Sequence, residues 1–314
     1  MERILVNAIA HPDALAYLEA HGLEYVVVPE EDQPASLRVA KEASGVVANA
    51  SLLFDDDFFE LAPAVRVIGR MGVGYDNVDL AAATRHGVRV VNTPLPIVEP
   101  VAEHTFALLL ALVRRVVRGD RDARAAQFRQ PANHPGPELL GKTLGVVGLG
   151  RTGRRVAEIA RHAFRMDVLY HDSIARGDAE AALGVRRVSL DDLLAASDFV
   201  TLHVNLSAST RRLIDATALA RMKPTAFLVN VARGPVVDEA ALVAALASGQ
   251  IAGAGLDVFE VEPPRADNPL WSLPNLVVTP HRAGFSHESA YGCSMVVEDI
   301  VRILRGEEPR FPVN

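Results

Sequence analysis

The chain has 314 residues, 49% of them hydrophobic and 23% charged, with a formal net charge of −7. That length and apolar content supply two medium cores, while the acidic balance and the lack of any Lys/Arg cluster interleaved with aromatics argue against nucleic acid or an anionic membrane as a partner. Its one cysteine, Cys293, excludes an internal disulfide and reads as a small helix residue, and no apolar run approaches the ~20 residues of a membrane span. The start, Met1 to Val6, enters a strand without the basic segment and apolar core of a signal peptide, so a cytoplasmic globular protein is expected.

Up to about residue 98, short β-rich runs (Ile4 to Ala8, Tyr25 to Val28, Gly45 to Ala48, Val65 to Arg70, Val88 to Asn92) alternate with helical patterns such as Asp13 to Gly22. This is an α/β unit. Pro100 to Arg115 then reads as a helix apolar on nearly every side, which must be buried all round, either wholly inside one subunit or at a homodimer interface through residues 101–115, the second being the favoured cover. Gln127 to Pro137, rich in Pro, His and Asn, reads as a loop. From Gly141 the alternation restarts, with strands at Leu144 to Val147, Val168 to His171, Phe199 to His203, Ala226 to Asn230, Gly255 to Val258 and Val277 to Val278. One final helix, from about Ser286 to a glycine stop at Gly306, closes the chain. The expected fold class is therefore α/β with two doubly wound parallel sheets.

The opening of the second alternation carries the most information. Leu144 to Val147 runs into Gly148-Leu149-Gly150-Arg151-Thr152-Gly153, and an amphipathic run follows from Arg154. An acid, Asp172, ends the next strand about 20 residues past Gly153. Strand, glycine triplet, helix and acid together read as a dinucleotide site: a tight turn, close backbone approach to a pyrophosphate, close helix packing, and helix N–H groups aimed at phosphate. Asp172 can accept from a ribose 2′-OH and would repel a 2′-phosphate. Since no Arg occurs in Ser173-Ile174-Ala175, although Arg176 follows, NAD is the expected cofactor.

Three later strand ends carry polar residues: Asn230-Val231-Ala232-Arg233-Gly234, Leu256-Asp257-Val258-Phe259-Glu260-Val261-Glu262-Pro263, and Thr279-Pro280-His281-Arg282-Ala283-Gly284. Open α/β sheets place ligands at such ends. An Arg, a carboxylate and a His are what hydride transfer to a 2-oxo acid requires: a two-point grip on the carboxylate, an imidazole to protonate the oxygen, and an acid to orient that imidazole. The ten histidines lack metal-ligand spacing, and His11, His21, His86, His104, His134, His162 and His287 read as surface or packing residues, so no metal is expected.

In this order the segments resemble the D-2-hydroxyacid dehydrogenase family, with its N-x-x-R-G-x-x-V-D-E, L-D-V-F-x-x-E-P and P-H signatures at Asn230 to Glu239, Leu256 to Pro263 and Pro280-His281. Arg70 to Asp79 and Val101 to Thr105 extend the resemblance over nearly the whole chain. It implies that Arg233, Glu262 and His281 are catalytic, with His281 the acid/base and Glu262 its partner, while Glu260 is a solvated loop residue. It implies substrate contacts from the Val73 and Gly74 amides, Arg233 and His281. It implies cofactor contacts from Gly148, Gly150, Arg151, Thr152, Gly153, Asp172, Val204, Val231, Ala232, Arg233, Asp257, His281, Ala283 and Gly284. It also implies a central NAD-binding Rossmann domain (99–287) inserted into a flavodoxin-like substrate domain (1–98 plus 288–314), with a cleft between them whose closure excludes water.

The implied activity is NAD-dependent interconversion of a small 2-oxo acid and its D-2-hydroxy acid. A phosphorylated substrate would need a basic group for its second anion. The loop Asn49 to Phe54 and the following Asp55-Asp56-Asp57 have no Lys or Arg, which favours an unphosphorylated acid of the glyoxylate or hydroxypyruvate type. The end of the chain at Asn314, without the regulatory domain of longer phosphoglycerate dehydrogenases, points the same way. D-3-phosphoglycerate dehydrogenase and a non-catalytic NAD(H)-sensing, corepressor-like binding protein are the alternatives.

Overall fold

Five short runs dominated by Val, Ile and Leu form an all-parallel sheet in the first part of the chain: β1 (Arg3–Asn7), β2 (Glu24–Val27), β3 (Gly45–Ala48), β4 (Val67–Arg70) and β5 (Arg89–Asn92), in the order β2-β1-β3-β4-β5. β3 and β4 are buried at every residue, as strands covered on both faces by helices must be. The computed structural model describes residues 2–49, 51–128 and 135–314. His134 and the middle of the expected loop at 127–137 lie outside the described residues.

This sheet belongs to one of two compact units, Met1–Ile97 with Gly284–Asn314; the other is Val98–Ala283. The C-terminal residues return to the first unit through a helix at Val297–Leu304, whose Val297, Ile300 and Val301 pack with Ile4, Val6 and Val67. The single final helix expected from sequence is two. His287–Ser294 ends where the Met295 N–H bonds back to Cys293 and Tyr291, and the chain restarts at Val297. Cys293 is buried on the first of these helices.

Among the described residues the second unit holds seven parallel strands: β6 (Thr143–Val147), β7 (Asp167–His171), β8 (Arg186–Arg187), β9 (Phe199–Leu202), β10 (Phe227–Asn230), β11 (Gly253–Leu256) and β12 (Leu276–Val278). Their order is β12-β11-β10-β9-β6-β7-β8, so the winding reverses between β6 and β9. In open α/β sheets that reversal opens a crevice at the carboxyl ends of the strands. Side chains at the turns fix where helices start. Ser189, Asp215 and Asp238 each accept a hydrogen bond from a backbone N–H three residues on, satisfying a donor that the helix cannot.

The apolar helix spans Val98–Val113 and is covered by its own unit. Val101, Ala102, Thr105, Phe106, Leu108, Leu109, Leu112 and Val113 are buried, and it packs against the Arg151–His162 helix and against β10, β11 and β12. Phe106 stacks on Phe164 at 5.0 Å. Its burial is thus supplied within its own unit, the less favoured of the two covers considered from sequence. The following helix, Val116–Arg124, has no buried residue. Among the described residues no helix is long and apolar enough to cross a membrane.

Candidate active site

The carboxyl ends of β6, β7, β9, β10, β11 and β12 bring together the loops that sequence singled out. After β6 the chain turns at Gly148 (φ +91), whose N–H donates to the His171 carbonyl at 2.7 Å, and enters the Arg151–His162 helix. A Cβ on Gly153 would stand 2.0 Å from the Gly148 carbonyl oxygen, so only glycine lets the helix lie this close to the turn. A Cβ on Gly150 would meet nothing within 4 Å, and Gly150 caps the helix without a side-chain bond. Val204 packs against Gly148, Arg151 is exposed, and Thr152 is half-buried. His203, just after β9, has its ring Nε2 buried; burial pushes its pKa down to about 3 and keeps it neutral beside the turn.

Asp172 follows β7 and faces the same turn. Its Oδ2 accepts from the Leu149 N–H and its Oδ1 from the Ile174 N–H, both at 2.9 Å, and Arg176 Nη2 lies 3.5 Å away. Burial works to raise the pKa of this carboxyl, but the two N–H bonds and the Arg176 charge outweigh it and hold Asp172 below the usual carboxylate range. Open space at Gly150, a helix start with no capping side chain, and an ionised acid beyond it suit a dinucleotide, with the pyrophosphate toward Gly148–Gly153 and a ribose toward Asp172.

The β10 end turns sharply. Asn230, 1% exposed, donates from Nδ2 to the Arg233 carbonyl and accepts the Ala232 N–H, tying Val231, Ala232 and Arg233 into one turn. Arg233 Nη1 donates to the Ala232 carbonyl at 2.8 Å. A Cβ at Gly234 would sit 1.7 Å from the Phe259 carbonyl oxygen, so the Arg233 turn packs directly on the loop after β11. In that loop Glu262 accepts the Phe259 N–H at 2.9 Å through Oε1, and its Oε2 lies 2.6 Å from His281 Nδ1.

Burial works against the charge on Glu262. The bonds from His281 and Phe259 and the nearby positive charges of His281 and Arg233 override it, holding the carboxyl below its usual range. An ionised Glu262 only accepts, so the His281 ring carries a proton at Nδ1 and leaves Nε2 to give or take another. The His281 side chain is 47% exposed, and its backbone holds φ +52, a left-handed conformation uncommon for a side chain of this size. Such strain is found where surrounding bonds fix a functional group.

Asp257 follows β11 and is fully buried. Its carboxylate accepts from the Thr279 hydroxyl and from the Arg282 and Ala283 N–H groups. Two sequence readings change. Glu260 is not a solvated loop residue: it is half-buried, accepts from Arg212 Nη2 at 3.2 Å, and its N–H donates to Glu239. His104 is not an idle packing residue: its Nε2 lies 2.8 Å from Thr279 Oγ1. The polar Glu103-His104-Thr105 break in an otherwise apolar helix was the signal for it.

Val73 and Gly74 follow β4 in the first unit, where Gly284 also lies. Asn92 Nδ2 donates to the Val73 carbonyl at 2.8 Å and Arg70 Nε to the Gly74 carbonyl at 3.1 Å. Both supporting side chains are buried. Neither entered the sequence reading as a functional residue.

Winding order, glycine turn, acid and Glu–His pair define an NAD(P)-dependent oxidoreductase of α/β architecture. A family model for the NAD-binding domain of D-isomer specific 2-hydroxyacid dehydrogenases matches residues 106–283. A glyoxylate reductase of Korarchaeum cryptofilum is 44% identical over 320 residues, covering 99% of this chain and 96% of that one. Among solved structures, the TT0316 protein of Thermus thermophilus superposes with a TM-score of 0.92 at 38% identity, covering 99% of this chain and all of the other. The NADPH-dependent glyoxylate/hydroxypyruvate reductase of Sinorhizobium meliloti gives 0.88 at 33% identity, covering 99% and 96%. The chain belongs to the D-isomer specific 2-hydroxyacid dehydrogenase family.

Proposed function

We propose that the chain reduces small, unphosphorylated 2-oxo acids of the glyoxylate or hydroxypyruvate type to D-2-hydroxy acids with NADH. The 2.6 Å Glu262–His281 pair at the β11 and β12 ends carries this reading. Bound nicotinamide supplies the hydride. The part assigned to His281 is to hold a proton at Nε2 and deliver it to the substrate oxygen as the carbonyl carbon is reduced, with Glu262 fixing the ring. To Arg233 we assign the substrate carboxylate, which a planar guanidinium can grip at two points. To the Val73 and Gly74 amides, whose carbonyls Asn92 and Arg70 hold in place, we assign carboxylate binding. Gly148, Gly150, Arg151, Thr152, Gly153, Asp172, Val204, Val231, Ala232, Asp257, Ala283 and Gly284 are assigned to the cofactor.

The loop after β3 supports an unphosphorylated substrate. Ser51 bonds Asn7, Leu52 and Phe54 are buried, and Leu53 is 62% exposed, while Asp55 caps the next helix. Arg70, at the end of β4, donates to the Ala48 and Gly74 carbonyls. The resemblance to glyoxylate reductases adds to this. Asp172, ionised and aimed at the turn, favours NADH over NADPH. Steady-state rates with glyoxylate, hydroxypyruvate, pyruvate and 3-phosphohydroxypyruvate, each with NADH and NADPH, test the proposal. A preference for the phosphorylated acid would overturn the substrate class, and a preference for NADPH would overturn the cofactor.

The assembly we propose is a homodimer through the helix at Val116–Arg124 and its flanks. That helix buries none of its own residues, yet Val116, Val117, Phe128 and Leu140 are all at least 47% exposed. Light scattering of the purified chain tests this: a monomer at micromolar concentration would overturn it.

A further inference from the structure

His281 sits in a turn whose two sides are tied to one buried carboxylate. Before it, the Thr279 hydroxyl donates to Asp257 Oδ1 at 2.5 Å; after it, the Arg282 N–H donates to Oδ1 and the Ala283 N–H to Oδ2, both at 2.8 Å. The His281 N–H itself bonds the Asp257 carbonyl at 2.8 Å. The left-handed backbone at His281 is thus held from both flanks by a single residue.

A threonine hydroxyl has one proton and can rotate among staggered positions. The carboxylate takes that proton, so Oγ1 can only accept from a further partner. His104 Nε2, on the Val98–Val113 helix, lies 2.8 Å from Oγ1 and 3.6 Å from Asp257 Oδ1. Nε2 must therefore be the protonated nitrogen of His104. Its N–H occupies the lone pair of Oγ1 and fixes the hydroxyl proton toward Asp257, each bond orienting the next.

Resting on the acid/base reading of His281, we propose that His104 and Thr279 are positioning residues that act through Asp257 to set the His281 turn. They touch no reacting atom, so their loss lowers the rate of the proton-transfer step more than it weakens substrate or cofactor binding.

The test compares His104→Leu, His104→Gln, Thr279→Val and Thr279→Ser with wild type. Reduction of glyoxylate by NADH is measured together with NADH affinity, melting temperature and the imidazole ¹H–¹⁵N signals of His281. His104→Leu and Thr279→Val are expected to lower kcat about tenfold with KM and the NADH Kd within about twofold, as a small misplacement of a reacting group does. The His281 ring signals should shift in both. Gln and Ser, which keep a donor and a hydroxyl, should restore most of kcat and the signals. The double Leu/Val variant should be no slower than either single, because the two act through one chain of bonds. Wild-type kcat in His104→Leu, or an equal loss in Leu and Gln that follows melting temperature, would overturn the relay. An active His281→Ala would instead overturn the acid/base reading; an inactive His281→Ala beside a fully active His104→Leu sinks only the relay.

Discussion

The two sheets are built alike, parallel strands covered by helices, yet the loops at their carboxyl ends use different chemistry. After β4, in the first unit, the polar side chains Arg70 and Asn92 are buried and turned onto the carbonyls of Gly74 and Val73. What such a loop offers a ligand is backbone, held in shape by side chains. At the ends of β10, β11 and β12, in the second unit, the charged groups of Arg233, Glu262 and His281 are themselves presented, while buried Asn230 and Asp257 do the holding. Backbone can bind an anion but cannot exchange a proton at neutral pH. On the proposed reading the first loop only binds, while the second both grips the carboxylate, through Arg233, and carries the chemistry.

Arg233→Lys is the strongest way to break this contrast. An ammonium keeps the charge but loses the planar two-point grip, so kcat/KM for glyoxylate should fall about 10²-fold or more while the NADH Kd moves little. If kcat/KM held and only the melting temperature fell, Arg233 would be a structural residue and the contrast would fail. Asp172→Asn tests a smaller effect within the second unit. Removing the charge that opposes a 2′-phosphate should raise the NADPH to NADH ratio of kcat/KM about tenfold; an unchanged ratio would move cofactor selection to other residues. Asn92→Ala, in the first unit, is the mildest. It leaves the Val73 carbonyl unsupported, and KM for the oxo acid should rise a few-fold with kcat nearly constant. A fall in kcat larger than the rise in KM would show that the first loop does more than bind.

The glycine turn was legible in sequence because its constraints are steric and local. At Gly153 no other residue fits against the Gly148 carbonyl, and the strand before and helix after are written in adjacent residues. The strand-end residues Arg233, Glu262 and His281 were legible for a related reason, each closing an apolar run in a parallel sheet. His104 was marked only by a polar break in its helix, and its role was not legible, because its partner Thr279 is 175 residues away and a helical pattern does not record what a polar side chain will meet. Composition showed that the Val98–Val113 helix is covered, but not by what, and its own sheet proved sufficient. Two further features left little local trace. β8 is two arginines at a sheet edge, too short and too polar for a strand signal, and the chain re-forms a helix at Val297 after a tight turn that no glycine or proline marks.

The central claim, that chemistry resides in the Glu262–His281 pair, is tested most directly by the kcat of His281→Ala for glyoxylate reduction, measured beside its NADH dissociation constant. Loss of a positioned acid/base should lower kcat about 10²-fold or more and leave the dissociation constant within about threefold of wild type. A His281→Ala enzyme that turns over at near wild-type kcat would contradict the account.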